Sequence, residues 1–546
     1  MAIRGWRAGL IALLLFPASA AGAAWHQARS PHFIVYADDK PEKIRDFTTR
    51  LERFDRALRI LFGVPDTGES SSSRLTVYVV DDADDVAKLA GKGASSVAGF
   101  YLPRATGAVA FVPRHGDGDG KYGLNPQIVL LHEYAHHFMF STWPSLAVPA
   151  WFSEGFAEFA ATALFNKDGS LTLGSPPLYR AFEILEPSMS LKRIIAANVE
   201  TLPQSLKTQI YGRGWLLTHY ILLSPDRQAL FTAYLAALNN GKSPIDAAAV
   251  FGDLDALDKD LTRYASHKLS GFVLKPQALA IDGIDVTPLS PGAAAMMPAL
   301  IRSQRGVDQK TAPAVFALAD KLAAPYPNDP VVQTALAEAA YDAQQFDAAK
   351  AAADRAIAAD PRAFRALIYR GRTAIALAVR DHLREATGWT AVRRPFLAAN
   401  KIDTENAEPL FLYYQSFLAA GEAPSENARA ALAYAYRLAP FDPSLRMTAA
   451  YMFLRQGKGR DAREALGPVA FDPHGGGLTE VAGQAIAALD KGGPTAALAV
   501  LEGRQSAAGP ADQGKEGGGD GGGDDGAGKA KPGGDGNAKV GTPPAR

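Results

Sequence analysis

Apolar residues along the first part of the chain switch between a period of two and a period near 3.6. His32-Phe33-Ile34-Val35-Tyr36 reads as a short strand, and Lys40 to Phe62 places Ile44, Phe47, Leu51, Phe54, Leu58 and Leu61 at helical steps of three and four. Arg74 to Val80 is β-branched and aromatic, which predicts a strand that Asp81-Asp82 terminate. Val97–Tyr101 and Ala108–Val112 flank the turn-forming Pro103-Arg104-Ala105-Thr106-Gly107, so a hairpin is expected there. From Asn125 to about Ser270 the spacing is mainly helical. A β-rich half followed by a helical half predicts an α+β domain over residues 24–274.

A Pro- and Gly-punctuated stretch, 275–305, reads as a linker. Beyond it, over 306–504, alanine-rich helical hairpins recur. Asp329-Pro330, Asp360-Pro361, Asp442-Pro443 and Asp472-Pro473 punctuate them, with first and last spacings of 31 and 30 residues. Phe346-Asp347-Ala348-Ala349-Lys350, with Ala356 and Asp360-Pro361, resembles the second helix of a tetratricopeptide (TPR) repeat, and Ala428 to Leu466 repeats the theme. The pattern is degenerate and breaks near Gly388-Trp389, so an ordinary all-helical bundle stays open as the alternative. The tail 505–546 is expected to be disordered: 14 of the 51 glycines fall between Gly509 and Arg546, among Asp, Lys and Pro. Gly517–Gly522 faintly resembles a calcium-binding β-roll, but the periodic apolar residue is missing, which favours a solvated tail.

Composition narrows the chemistry. The chain has 546 residues with Lys+Arg 57 against Asp+Glu 57, and no basic stripe, which argues against nucleic acid as a partner. There is no cysteine, so disulfides, thiolate metal sites and cysteine nucleophiles are excluded, and any transition-metal site must use His and carboxylates. Arg4 and Arg7 precede the apolar run Leu10–Phe16, and small residues follow from Ala18 to Ala23. That order predicts a cleavable signal peptide over 1–23, hence a periplasmic or secreted protein. A retained anchor is the alternative, though the run falls well short of the ~20 residues a span needs, and no later stretch is long enough.

The chemical centre of the sequence is His132-Glu133-Tyr134-Ala135-His136. Asn125-Pro126 supplies an N-cap and a proline at the first helical position, so a helix is expected to carry it. His132 and His136, four residues apart, then share one face and can bind one Zn²⁺, while Glu133 borders the site as a general base. Core histidines bonded to backbone are the competing explanation. Ala150–Phe159 reads as a second helix on which Glu154 and Glu158 share a face. Glu154, separated from His136 by seventeen residues, is the expected third ligand; Glu158 is expected to accept a hydrogen bond from the far nitrogen of a ligand histidine, or else to be a surface carboxylate. Gly155 is expected to let the two helices approach.

H-E-x-x-H followed by a glutamate in W-x-x-E-G-x-A resembles the gluzincins, the thermolysin and aminopeptidase-N type of zinc metallopeptidase, and in particular their bacterial peptidase MA-like members. Two stretches carry the likeness, Asn125–Phe140 and Pro149–Ala160. It implies a zincin-like fold for the first domain, a His₂Glu zinc site, and peptide-bond hydrolysis. By the same resemblance Tyr211, in Tyr211-Gly212-Arg213-Gly214, would stabilise the oxyanion; without it, Tyr211 is a tyrosine at a helix start. The family's G-x-M-E-N stretch is matched only by Gly107-Ala108-Val109-Ala110-Phe111, which has no carboxylate to grip a free amino terminus. That favours an endopeptidase, with an edge strand at this place pairing an extended peptide. The helical repeats would offer a concave surface to a peptide or protein partner. Two rival readings remain: a scaffold working through its repeats, and a zinc hydrolase of a non-peptide substrate. His137 and His219 are expected to pack, with a transition-state role as the alternative for His219; His115 is expected to be exposed, and Asp81–Asp85 to form a solvated turn and cap, with calcium binding as the alternative.

Overall fold

The chain is described from a computed structural model, which covers residues 25–507 apart from 67–69, 92–98, 115–124, 198, 200–201 and 473–475. The expected signal segment, Val97, His115 and the tail from residue 508 onward lie outside the described residues.

The strands are β1 (Trp25–Arg29), β2 (Phe33–Asp38), β3 (Leu75–Val80), β4 (Phe100–Leu102), β5 (Val109–Pro113), β6 (Leu164–Phe165), β7 (Leu171–Leu173), β8 (Phe272–Leu274) and β9 (Asp285–Pro288). Six of them form one mixed sheet in the order β4-β5-β3-β2-β1-β9, and β6-β7-β8 form a small second sheet. The pairs β2–β3 and β3–β5 are parallel, with Val35, Val77 and Ala110 in register; the other pairs of the large sheet are antiparallel.

The central strands are apolar on both faces because both are covered. One face packs Phe33, Val35, Leu75, Val77 and Ala110 with the helix α1 (Pro41–Phe62) and the helices that carry the site. The other face packs Tyr78, Val80, Phe100 and Phe111 with Val86 of α2 (Ala83–Ala90) and with Met297 and Ile301. The last two residues lie in the stretch 275–305 that was expected as a linker. That stretch instead supplies β9 and a helix whose first turn is capped by the Ser290 hydroxyl, with Pro291 at its start. Its prolines suit a helix start and a bend, and the sheet's second face requires the apolar residues they accompany. A second difference concerns the hairpin. Val109–Pro113 is interior, between β4 and β3, and the outer strand is β4.

Among the described residues, ten α-helices precede β9. After α1 and α2 come α3 (Pro126–Thr142), α4 (Ala150–Ala161), α5 (Ala181–Leu185), α6 (Leu191–Ile195), α7 (Gln204–Leu222), α8 (Pro225–Asn239), α9 (Pro244–Ala247) and α10 (Leu254–Ala265). The helical half then runs through α11 (Pro291–Arg305), α12 (Ala312–Ala323), α13 (Pro330–Asp342), α14 (Phe346–Ala359), α15 (Phe364–Arg380), α16 (Ala386–Ile402), α17 (Ala407–Ala419), α18 (Glu426–Leu438), α19 (Pro443–Arg455), α20 (Gly459–Ala470) and α21 (Gly477–Ala507). Each packs on its neighbour, and α11, α13, α15 and α17 also pack on one another as a row, a TPR-like hairpin array. Asp329 and Asp442 cap α13 and α19 with a proline at the next position, while Asp360 ends α14. No interruption occurs at Gly388-Trp389: both lie in α16, where Trp389 is buried. The array is fused to the first domain, since Ala407, Phe417, Leu445 and Met452 share one core with Leu130 and Phe156. No helix among the described residues is long and apolar enough to cross a membrane.

Candidate metal centre

The helix α3 starts where the sequence placed it. The Asn125 side-chain oxygen accepts from the Ile128 N–H at 2.9 Å, and Pro126 occupies the first turn. On its far face the Tyr134 hydroxyl donates to Asp55 of α1 at 2.7 Å, which fixes the helix rotationally. The opposite face presents His132 and His136. A turn through Trp143–Pro149 then leads into α4, which is buried from Trp151 to Ala161 and packs on α3, bringing Glu154 against the imidazoles.

Three ligand atoms converge there. His132 Nε2 lies 3.2 Å from His136 Nε2 and 3.2 Å from Glu154 Oε2, and His136 Nε2 lies 3.6 Å from the same carboxylate oxygen. Tetrahedral zinc with ligands at 2.0–2.1 Å requires ligand atoms roughly 3.3–3.4 Å apart. The observed triangle brackets that edge, so the residues fit a divalent cation. Glu154 is 1% exposed and His136 3%. Burial would drive the His132 imidazole towards neutrality, but its bond to Glu154 and the charges of Glu154, Glu158 and Glu133 push its pKa up to about 9. The same negative field that draws a proton here favours a cation. The hydroxyl of Ser153 stands 3.3 Å from His136 Nδ1 and orients that ring from behind.

The second carboxylate of α4 is placed differently from the expectation. Glu158 does not bond a ligand histidine. Its Oε2 accepts from the Tyr179 hydroxyl at 2.6 Å, and its Oε1 accepts from Arg180 Nε at 3.0 Å and Nη2 at 2.9 Å. Arg180 in turn lies over the Tyr211 ring, 4.7 Å from its centroid, and that ring is 6.0 Å from the ring of His132. Glu158 therefore braces Tyr211 through Arg180. Nothing in the sequence distinguishes Tyr179 and Arg180 from loop residues, because their partner lies across the fold. Tyr211 itself sits in the middle of α7, which begins at Gln204 rather than near Tyr211.

Gly155 also has a different neighbour. A Cβ on Gly155 would overlap the backbone of Gly214 in α7, and one on Gly214 would overlap the Trp151 carbonyl. The close approach is thus between α4 and α7, and it is what carries Tyr211 to the site. Gly214→Ala is expected to cost about 1–3 kcal/mol or more by overpacking, read as a lower urea midpoint.

Glu133 is half-buried on the flank of α3, and its charge, after burial itself, raises the Tyr101 phenol on β4. The next histidine is not a ligand. His137 Nε2–H donates to the Ser73 carbonyl at 2.8 Å, so its Nδ1 accepts from the Tyr101 hydroxyl at 2.8 Å, and burial holds it neutral with a pKa lowered to about 4. His219 is buried against Trp215 and Tyr264 and is likewise lowered to about 4 by burial. Asp82 caps α2 through the Asp85 N–H. A second buried group, His32, Glu52 and Asp55, could also hold an ion by distance alone. Its members already pair with one another and with a cation, however: Glu52 and Asp55 face His32 at 2.7 and 3.4 Å, Asp66 faces its other nitrogen at 3.7 Å, and Arg59 Nε binds Asp55 at 2.7 Å. That group reads as an ion-pair network supporting α3 from behind.

No family model matches the chain, and no curated protein matches it. Among solved structures it is similar to a thermophilic TPR protein of Thermus thermophilus, at 18% identity over 34% of this chain and 96% of that chain, with a TM-score of 0.30.

Proposed function

We propose that the protein is an exported zinc-dependent hydrolase of peptide bonds, acting as an endopeptidase. The observation that carries this reading is the triangle of His132, His136 and Glu154 at tetrahedral spacing, with Glu133 beside it. His132, His136 and Glu154 would hold the Zn²⁺, which when bound polarises a carbonyl and lowers the pKa of water towards about 7. Glu133 takes the proton of the attacking water and returns it to the leaving amine. The Tyr211 hydroxyl supplies a hydrogen bond to the oxygen on which charge develops, with Arg180 and Glu158 fixing its ring. An extended peptide would pair with the outer strand β4, whose Tyr101 lies in the field of Glu133. Export rests on the N-terminal Arg4–Ala23 pattern.

The test is metal analysis of the purified protein with cleavage of a mixed peptide library. The expected result is one zinc per chain and cleavage that a chelator stops and added zinc restores. Zinc without cleavage of any peptide would move the proposal to another substrate class, and absence of bound metal would overturn it.

A further inference from the structure

The strand that borders the metal group is held from the other half of the chain. Tyr101 on β4 bonds His137, the neighbour of His136, and β4 joins β5 through the turn Pro103–Gly107. Arg104 crosses to the C-terminal end of α11, with Nη1 2.9 Å from the Gln304 carbonyl and Nη2 3.1 Å from that of Arg305. Those carbonyls lack partners within their own helix, so a guanidinium is well matched to them. The Ala105 N–H donates to Asp442 Oδ2 at 2.5 Å, while Oδ1 of the same residue caps α19 through the Leu445 N–H at 2.9 Å. Arg365 of α15 reaches the Thr106 carbonyl at 3.3 Å and is itself held by Glu408 of α17 at 3.0 Å. Phe441 completes the set, its ring 4.6 Å from that of His137.

These groups come from the alternate helices of the array, or from the residues that start or end them, so the row that faces one way is engaged with a single short turn. Within the row Arg365 and Arg372 are matched by Glu338 and Glu408, at 2.9 to 3.6 Å.

We propose that the helical array is an internal clamp on the β4–β5 turn that sets β4 against the metal group, with Arg104 and Asp442 as its positioning residues. The row that a repeat domain would offer to a partner serves here to fix a wall of the domain's own site. The consequence for substrate rests on the hydrolase reading, whereas the consequence for the hairpin does not.

Two variants of the full-length, zinc-loaded chain test it. Asp442→Asn keeps an oxygen to cap α19 but can turn an amide N–H₂ towards Ala105, and Arg104→Lys keeps the charge but loses the fork. Amide hydrogen exchange is read over residues 99–109, with residues 226–239 of α8, outside the clamping row, as the internal control, together with zinc content. Each variant is expected to speed exchange in the hairpin about tenfold, as loss of a buried donor's partner implies, with the control and the zinc content unchanged. For a peptide the parent protein cleaves, KM is expected to rise more than kcat falls. Unchanged exchange in the hairpin, or an equal rise in the control, overturns the clamp. A parent protein that cleaves no peptide overturns the hydrolase reading alone, and the exchange result still decides the clamp.

Discussion

Glu133→Gln is expected to retain a full complement of zinc and an unchanged melting temperature while losing about 10²–10⁴-fold in peptide hydrolysis. Glutamine has the size of glutamate and can occupy the same half-buried place on α3, so neither packing nor the three ligand atoms should move. What it cannot do is accept the proton of the attacking water. One of the carboxylates that raise His132 is removed, but Glu154 and Glu158 remain, with Glu154 in direct contact. The measurement is initial-rate cleavage alongside metal analysis of the same preparation. Activity within a few-fold of the parent would contradict the role given to Glu133.

His136→Ala is expected to lose the metal and the activity together. The imidazole is 3% exposed, stands at one corner of the ligand triangle, and is oriented by Ser153. Losing a residue that only orients a ligand weakens metal affinity by about 10–100-fold, so losing a ligand itself is expected to exceed that range. The truncation also leaves the buried Glu154 with one fewer partner for its charge, which lowers stability in the metal-free state. Zinc titration followed by calorimetry separates this outcome from that of Glu133→Gln. An alanine variant that binds zinc as tightly as the parent would remove His136 from the site.

The parts of this arrangement that could be read from the chain are those set by local rules. Asn125-Pro126 marks a helix start through capping, and once that helix exists the four-residue step stacks His132 on His136. The apolar steps in Pro41–Phe62 and the β-branched run at Leu75–Val80 place α1 and β3 in the same way. What escaped depends on partners far away in sequence. Gly155 signals a close approach but not whether α3 or α7 makes it, and only the fold assigns it to Gly214. Glu158 reads equally as a histidine's partner or a surface carboxylate, and only the fold buries it and gives its two oxygens to Tyr179 and Arg180. Glu52, Asp55 and Arg59 on α1 look like a solvated helix face, and become a buried network only because His32 and Tyr134 arrive from elsewhere. The stretch around Pro291 and Pro298 reads as a connector because its prolines outweigh Met297 and Ile301, whose burial follows from a sheet face that needs covering.

The most direct measurement is anomalous diffraction at the zinc edge from crystals of the purified chain. A single strong peak is expected within bonding distance, about 2.0–2.1 Å, of His132 Nε2, His136 Nε2 and a Glu154 oxygen. A peak held instead by His32, Glu52 and Asp55, or an empty ligand triangle in zinc-saturated crystals, would contradict it.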